Sequence, residues 1–579
     1  MSCRQTHCRE RVGGNTLNWN ENLQRLLLLI IAAALAVSIL LPLGALFERA
    51  FMNEEGEWIG VSNVFTYLAS PALAQSLANT MFVSVISTII SVALAFAYAF
   101  GIVRTMMRGK TFFRYAALLP LFAPSMMHGL ALTFMFGNQG YVTTGFFGLL
   151  PTGWDIHLYG PVGIIISEVV FTFPQAFLIM VVALSMSDFR LYEAAETLGA
   201  GQMRKFFTVT LPGVKYGLIS AFFVCFTLVF TDFGAPKIVG GQYNVLATDM
   251  YKYVIGQQNM SMGATVGLVL ILPAILAFAV DRYLERKQKS VVSAKAVPFQ
   301  LKRRPGRDRL YTIYCSVIAG AILILLLTVV YGSFVKLWPY NLSLTLDHFD
   351  FTKVAGGTGL EPFWNSLKVS FLTAIIGTIV TYLSAYAIEK LKVWKPLRLL
   401  GYFLSIIPLA LPGLVLGLSY IFFFNQKSNP LNGLYGTIWI LVLVNIVHFF
   451  SVAFITATTA LKKLDNEYEY ASDSMGVPFY RTLFKVTVPI TIPAILEMGI
   501  YFFINSMVTI SAVVFLYAPD LKLASVMIVN MDDAGDIAPA SAMSILIVGT
   551  SILVRIAYEW GTAKLRRRSA KWQSRSQDM

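Results

Sequence analysis

The chain has 579 residues, of which 56% are hydrophobic and only 13% charged, and its mean hydropathy is +0.66. A soluble protein of this length needs far more charge to cover its surface, so the composition excludes an ordinary cytosolic enzyme and points to a polytopic membrane protein. The net charge of +14 lies in short basic patches between apolar runs, as on membrane-helix flanks, and this argues against a nucleic-acid partner.

In chain order, a basic tail over 1–25 leads into apolar runs at 26–47, 76–103, 115–136, 161–186, 214–235 and 262–281. A polar linker over 282–309 follows. Further runs occupy 310–335, 364–388, 399–424, 434–460, 490–517 and 538–560, before a basic tail over 561–579. Each run can cross the roughly 30 Å hydrocarbon layer as a helix, which predicts an all-α membrane protein of about twelve transmembrane helices. The linker separates a first transmembrane domain, 26–281, from a second, 310–560. No small-residue cleavage site closes the first run, so it reads as a retained helix and not a signal peptide. Cys3 and Cys8 lack the second ligand pair of a zinc site, and Cys225 and Cys315 sit inside apolar runs; all four read as unpaired thiols.

Charge alternates with the spans. Arg104, Arg108, Lys110 and Arg114 mark one side, with Arg190, Arg204 and Lys205, with Lys390, Lys392, Lys395 and Arg398, and with Lys462, Lys463, Arg481 and Lys485. The intervening loops carry Glu54, Glu55 and Glu57, Asp155, Asp347 and Asp350, and Asp520, Asp532, Asp533 and Asp536. The positive-inside bias places both termini and the linker in the cytoplasm of a multi-pass protein of the inner membrane. Six spans per half give the halves one orientation, a parallel repeat.

The repeat is visible in the residues. LLPLFAPSMMHGLAL (118–132) matches IIPLALPGLVLGLSY (406–420), setting Pro120, Pro124 and Gly129 on Pro408, Pro412 and Gly417, and Asn79 pairs with Asn365. Prolines inside the third and ninth runs predict kinked or broken helices. A polar loop over 188–212, DFRLYEAAETLGAGQMRKFFTVTLP, recurs as DNEYEYASDSMGVPFYRTLFKVTVP over 465–489. Asp188 is suited to cap a short helix, Gly199 to end it in a left-handed turn, and Pro212 to open the next span. The product is a helix–turn–helix joined rigidly to a membrane helix, an element able to pass force from a soluble partner into the membrane.

Glu193-Ala194-Ala195, Gly199 and Leu211-Pro212 at this spacing resemble the signature loop of permeases of ABC importers. The second loop departs from that pattern, with Tyr470-Ala471-Ser472, Gly476 and Val488-Pro489, and Glu469 stands one residue early. The resemblance covers nearly the whole chain and implies two parallel six-helix halves of the type I ABC importer permease fold. It implies that both loops dock two copies of a cytosolic ABC ATPase, on which ATP and Mg are bound, while this chain carries no cofactor. It further implies a periplasmic substrate-binding protein on the acidic outer loops. Segments 231–264 and 513–544 are most similar to 2-aminoethylphosphonate permeases, with ferric iron permeases as the alternative. No G-x-x-x-x-G-K-[ST] phosphate loop is present, because Arg104 stands where the first glycine before Gly109-Lys110-Thr111 is needed; hydrolysis therefore falls to another chain, and this one reads as a transport subunit with no catalytic residues.

Charged groups in membrane segments are costly and are candidates for a substrate path. Glu168 in the fourth run, its counterpart Asn445, His448 one turn later, and Asp232 near the end of the fifth run are such candidates; for each, pairing between helices is the plainer explanation. His128 and Glu497 are further polar groups inside the runs. A secondary transporter of the major-facilitator type also has two parallel six-span halves. It requires no helix–turn–helix after its fourth and tenth spans, and it keeps an acidic loop where this chain has GIVRTMMRGKTFFR.

Overall fold

Prolines set the geometry of the third and ninth spans. In the third, Lys110–Leu118 tightens into a 3-10 turn at Leu119–Phe122, Ala123 and Pro124 are extended, and Ser125–Phe136 leaves at 102° to the first piece. In the ninth, Lys395–Ala410 and Gly413–Phe424 meet at 115° across Leu411 and Pro412. Proline lacks an N–H and drives the residue before it into extended geometry, so neither Ala123 nor Leu411 stays helical. Ser451 Oγ donates to the Ile406 carbonyl at 3.3 Å beside the second break. Single prolines at 174, 273 and 493 leave their helices continuous.

The computed structural model describes residues 5–186, 188–291, 299–301, 303–354, 356–391, 393–465 and 467–577. Cys3, Lys392, linker positions 292–298 and 302, and residue 466 of the second loop lie outside them. Among the described residues ten helices are long and apolar enough to cross a membrane, and the two bent pairs bring the number to twelve. In order they are Asn20–Ala50, Leu73–Arg104, the bent third, Pro161–Ser185, Gln202–Thr231 and Met260–Tyr283; then Pro305–Phe334, Glu361–Glu389, the bent ninth, Ile438–Lys462, Phe479–Val508 and Ile537–Ala563.

Several expected boundaries shift. Helices run through positions 25, 281 and 560, as Gln5–Leu35, Met260–Val291 and Ile537–Gln577, because the Lys, Arg, Glu and Gln there are good helix formers. The fifth and eleventh spans stop early, at Thr231 and Val508. The chain then folds back in short helices, Gly234–Val239 and Leu246–Tyr251 in the first half and Ala524–Asp533 in the second. A small antiparallel hairpin, Val335–Leu337 with Asn341–Leu344, follows the seventh span; its register pairs Val335 with Leu344 and Leu337 with Asn341.

In each half the second, fourth and fifth spans, or the eighth, tenth and eleventh, pack into a three-helix bundle. The halves also exchange helices. The first span packs on the sixth and reaches across to Gly413–Phe424 of the ninth; the seventh packs on the twelfth and reaches across to Ser125–Phe136 of the third. Tyr420 Oη donates to the Ser38 carbonyl at 2.9 Å, and Tyr314 Oη to the Leu94 carbonyl at 3.0 Å. Gly332 lies so close to Phe134 that a Cβ there would meet the ring at 2.7 Å.

Candidate functional site

At the loop-bearing face, the first loop is built as a cap, a helix, a left-handed turn and a second helix. Asp188 accepts a hydrogen bond from the Arg190 N–H at 3.1 Å and caps Phe189–Thr197. Gly199 takes φ 72°, a left-handed value that a Cβ disfavours, and the Ala200 N–H donates to the Ala195 carbonyl at 2.9 Å. The chain resumes at Gln202–Lys205, passes through a π turn at Phe206–Thr210 and continues without interruption along the fifth span, with Leu211 and Pro212 opening the α-helical stretch Leu211–Thr231. Lys205 reaches back to Glu196 at 3.4 Å, and Tyr192 Oη donates to Thr210 Oγ1 at 3.0 Å, so the two pieces are tied together.

The second loop repeats this form. Glu467–Ser474 ends at Gly476, φ 67°, and Phe479–Thr482 runs on through Val488 and Pro489 into the eleventh span. Ser472 and Thr482 bond through their hydroxyls and tie the two pieces together, at positions that match Ala195 and Lys205 of the first loop.

Glu193, Ala194, Gly199 and Pro212 are exposed, as are Tyr470, Ala471, Gly476 and Pro489; Ala195, Leu211 and Val488 are half-buried. Sequence reasoning missed the apolar faces of these loops. Leu191, Leu198 (83% exposed) and Met203 (76%) project from the first, and Tyr468, Met475 (72%) and Tyr480 stand at the matching positions of the second. An apolar residue repeated at matched places in two polar loops was the available signal.

At the far end of the spans, the fold-back helices Leu246–Tyr251 and Ala524–Asp533 are each clamped by a matched polar pair. Asn79 Nδ2 donates to the Asn244 carbonyl at 3.0 Å, and Thr80 Oγ1 accepts from the Leu246 N–H at 2.9 Å. In the second half Asn365 Nδ2 donates to the Lys522 carbonyl at 3.4 Å, and Ser366 Oγ accepts from the Ala524 N–H at 2.8 Å. Close packing is mirrored too: a Cβ on Gly234 would collide with Ser125 Oγ, and one on Gly413 with Ser511 Oγ.

The fold-back helices of the two halves meet. Lys237 Nζ lies 2.6 Å from Asp533 Oδ1 and 5.2 Å from the centre of the Tyr251 ring, and Tyr251 stacks on Phe515 at 6.3 Å. Burial and the neighbouring Asp533 push the Asp532 carboxyl up to about 7, while Lys237 acts in the opposite direction.

The four candidate path residues are not gathered into one site. Glu168 is fully buried inside the first-half bundle and faces Asp232. Asp232 accepts from Ser125 Oγ and from the Ala235 N–H, each at 2.9 Å, and so caps the fold-back helix Gly234–Val239. Asn445 lies in the second-half bundle and donates to Ser506 Oγ at 3.0 Å; His448 packs edge-on against Phe449 at 4.6 Å. Thus the structure sets Glu168 near Asp232, though neither Glu168 oxygen makes a hydrogen bond among the described residues, and holds Asn445 and His448 apart from them, within the other half.

Residues 106–290 and 377–567 match the family described as "Binding-protein-dependent transport system inner membrane component". The ferric transport system permease protein FbpB of Actinobacillus pleuropneumoniae is 27% identical over 94% of this chain and 80% of its own length. The Fe(3+)-transport system permease protein FbpB 2 of Haemophilus influenzae is 24% identical over 85% of this chain and 90% of its own length. A Salmonella typhi protein provisionally named for 2-aminoethylphosphonate transport is 27% identical over 37% of this chain and 79% of its own length.

Proposed function

The chain belongs to the binding-protein-dependent transport system inner membrane components, matched in both of its halves, and on that premise we propose how it works as the fused two-half permease of an ABC importer. The loops 188–212 and 465–489 face the cytoplasm and each docks one copy of an ATPase chain. The observation that carries this reading is the apolar face repeated in register: Leu191, Leu198 and Met203 against Tyr468, Met475 and Tyr480, all exposed on charged loops. Apolar side chains exposed on a polar surface are what a protein partner buries. Both loops run without a break into a span, so displacement by the partner passes directly to the fifth and eleventh helices.

At the periplasmic end, the contact of Lys237 and Tyr251 with Asp533 and Phe515 closes the path between the halves. The loaded binding protein, docking over the acidic outer loops, meets this seam. ATP-driven closure of the ATPase pair parts it, and hydrolysis lets it reform, which is alternating access by population shift. Both termini and the linker lie in the cytoplasm.

Ferric iron is the first cargo reading, because relatives named for it align over nearly the entire chain. A 2-aminoethylphosphonate is the second, favoured by the fold-back segments 231–264 and 513–544. The facing carboxyls of Glu168 and Asp232 would accept a cation or an ammonium group when the path opens to them. Reconstitution with the cognate ATPase and binding protein, comparing ATP-dependent uptake of radiolabelled ferric iron and of 2-aminoethylphosphonate, tests both the class and the cargo. Uptake driven by a proton gradient without the ATPase overturns the importer mechanism.

A further inference from the structure

Each half buries one cation where the span before the bent helix ends, under its coupling loop. Arg104 ends the second span and is 2% exposed; Lys390 stands directly after the eighth span, and its side chain is 2% exposed. The two occupy matching positions, equally far beyond Asn79 and Asn365. Both tie the end of that span to the chain leading into the coupling helix, Arg104 by donating to the Leu184 carbonyl at 2.8 Å and Lys390 to the Leu464 carbonyl at 2.9 Å.

What meets the charge from the coupling helix differs. In the second half it is Glu469, 3.4 Å from Lys390. The matching position of the first half, equally far before its turn glycine, is Tyr192. The ring of Tyr192 lies 5.1 Å from the Arg104 guanidinium, and the linker residue Phe299 covers the guanidinium at 3.8 Å. Phe299 also packs edge-on against Phe189 at 5.3 Å and against Tyr192 at 5.1 Å, both on the first coupling helix. A guanidinium held over ring faces in a buried site is stabilised by the ring quadrupoles and forfeits that contact if the ring is removed.

We infer that Phe299 is a positioning residue of the coupling machinery: this linker residue covers Arg104 and fixes the first coupling helix to the second span, the part that the Lys390–Glu469 ion pair takes in the second half. The linker of the fused chain is then a working part of one coupling element and more than a tether. It also accounts for Glu469 standing one residue early in the second loop, where it serves a buried lysine. This inference rests on the coupling-loop reading.

The test uses the full chain reconstituted with its ATPase and binding protein, with MgATP as the probe and stimulation of hydrolysis by the binding protein as the readout. Phe299→Leu keeps apolar volume and loses the ring face; stimulation should fall roughly tenfold while the ATPase still co-purifies. Phe299→Trp should retain stimulation. Tyr192→Glu combined with Phe299→Leu, which copies the second-half ion pair into the first half, should regain it. Wild-type stimulation in Phe299→Leu, or a Trp variant no better than Leu, overturns the inference. The coupling reading is checked separately: Leu198→Asp with Met475→Asp should release the ATPase, and undiminished co-purification overturns that reading and this inference with it.

Discussion

Removing the Lys237 charge should loosen the seam between the two halves by a calculable amount. The Lys237 side chain is 21% exposed and that of Asp533 46%, so solvent screens the pair and it contributes about 0.5–1 kcal/mol. The approach of Nζ to the Tyr251 ring adds about 0.5–1 kcal/mol. Together these give about 1–2 kcal/mol in favour of the closed seam, and Lys237→Ala should raise the ratio of open to closed by roughly 5- to 30-fold. Nitroxides at Gln242→Cys and Ala534→Cys, exposed positions on either side of the contact, report the separation by pulsed electron double resonance. Cys3 and Cys8 are replaced by serine, and the buried Cys225 and Cys315 stay in place. Measured with MgATP and loaded binding protein, Lys237→Ala should enlarge the long-distance population, and Lys237→Asp with Asp533→Lys should shrink it again. A distance distribution indifferent to Lys237 would remove this contact from the gate.

Four further outcomes are expected. Asp532 is raised to about 7 in the closed seam against an ordinary value near ~4 in water. Its contribution to closure is therefore complete below pH ~4 and is lost as pH rises to about 7, so the open fraction should climb over that window, and Asp532→Asn should flatten the climb. Gly199→Pro and Gly476→Pro cannot adopt φ 72° and 67°; each should abolish binding-protein-stimulated hydrolysis, and wild-type rates in either would exclude that turn from coupling. Thr80→Val strips the acceptor from the Leu246 N–H and should cost about 1–3 kcal/mol, read as a lower Tm, while Thr80→Ser keeps the wild-type value. Glu168→Gln should fold normally and lose uptake at least roughly tenfold; full uptake in a well-expressed variant takes this carboxyl out of the path.

Hydropathy and charge alternation made the spans and the repeat legible, because bilayer thickness dictates run length and each half repeats its own polar punctuation. The loops were legible for a local reason: capping, a left-handed glycine and an opening proline are decided within a few residues of sequence. The bends at Ala123 and Leu411 were foreseeable from their prolines. Span ends were harder to read. Residues 232–235 and 509–517 read as the last turns of apolar runs, and only the Asn79/Thr80 and Asn365/Ser366 clamps, distant in sequence, reveal that the chain folds back there. The Lys237–Asp533 contact likewise joins residues 296 positions apart, with no local pattern to mark it. Glu168 and Asp232 were both named from their cost in a membrane, yet their adjacency depends on how the fourth and fifth spans pack. Asn445, the repeat partner of Glu168, donates to Ser506 and faces no carboxyl there, so sequence equivalence did not carry over into equivalent chemistry.

The exchange of the first and seventh spans bears on biogenesis. The first span is made early, but one of its seats, Gly413–Phe424, emerges only after most of the chain has been synthesised. Until then its outward face has lipid for a neighbour, and the third span waits in the same way for the seventh. Residues 1–281 inserted alone should therefore be short-lived in the membrane, and co-expression with 282–579 should extend their lifetime. Fusion into one polypeptide keeps each late-arriving seat tethered beside the helix that needs it.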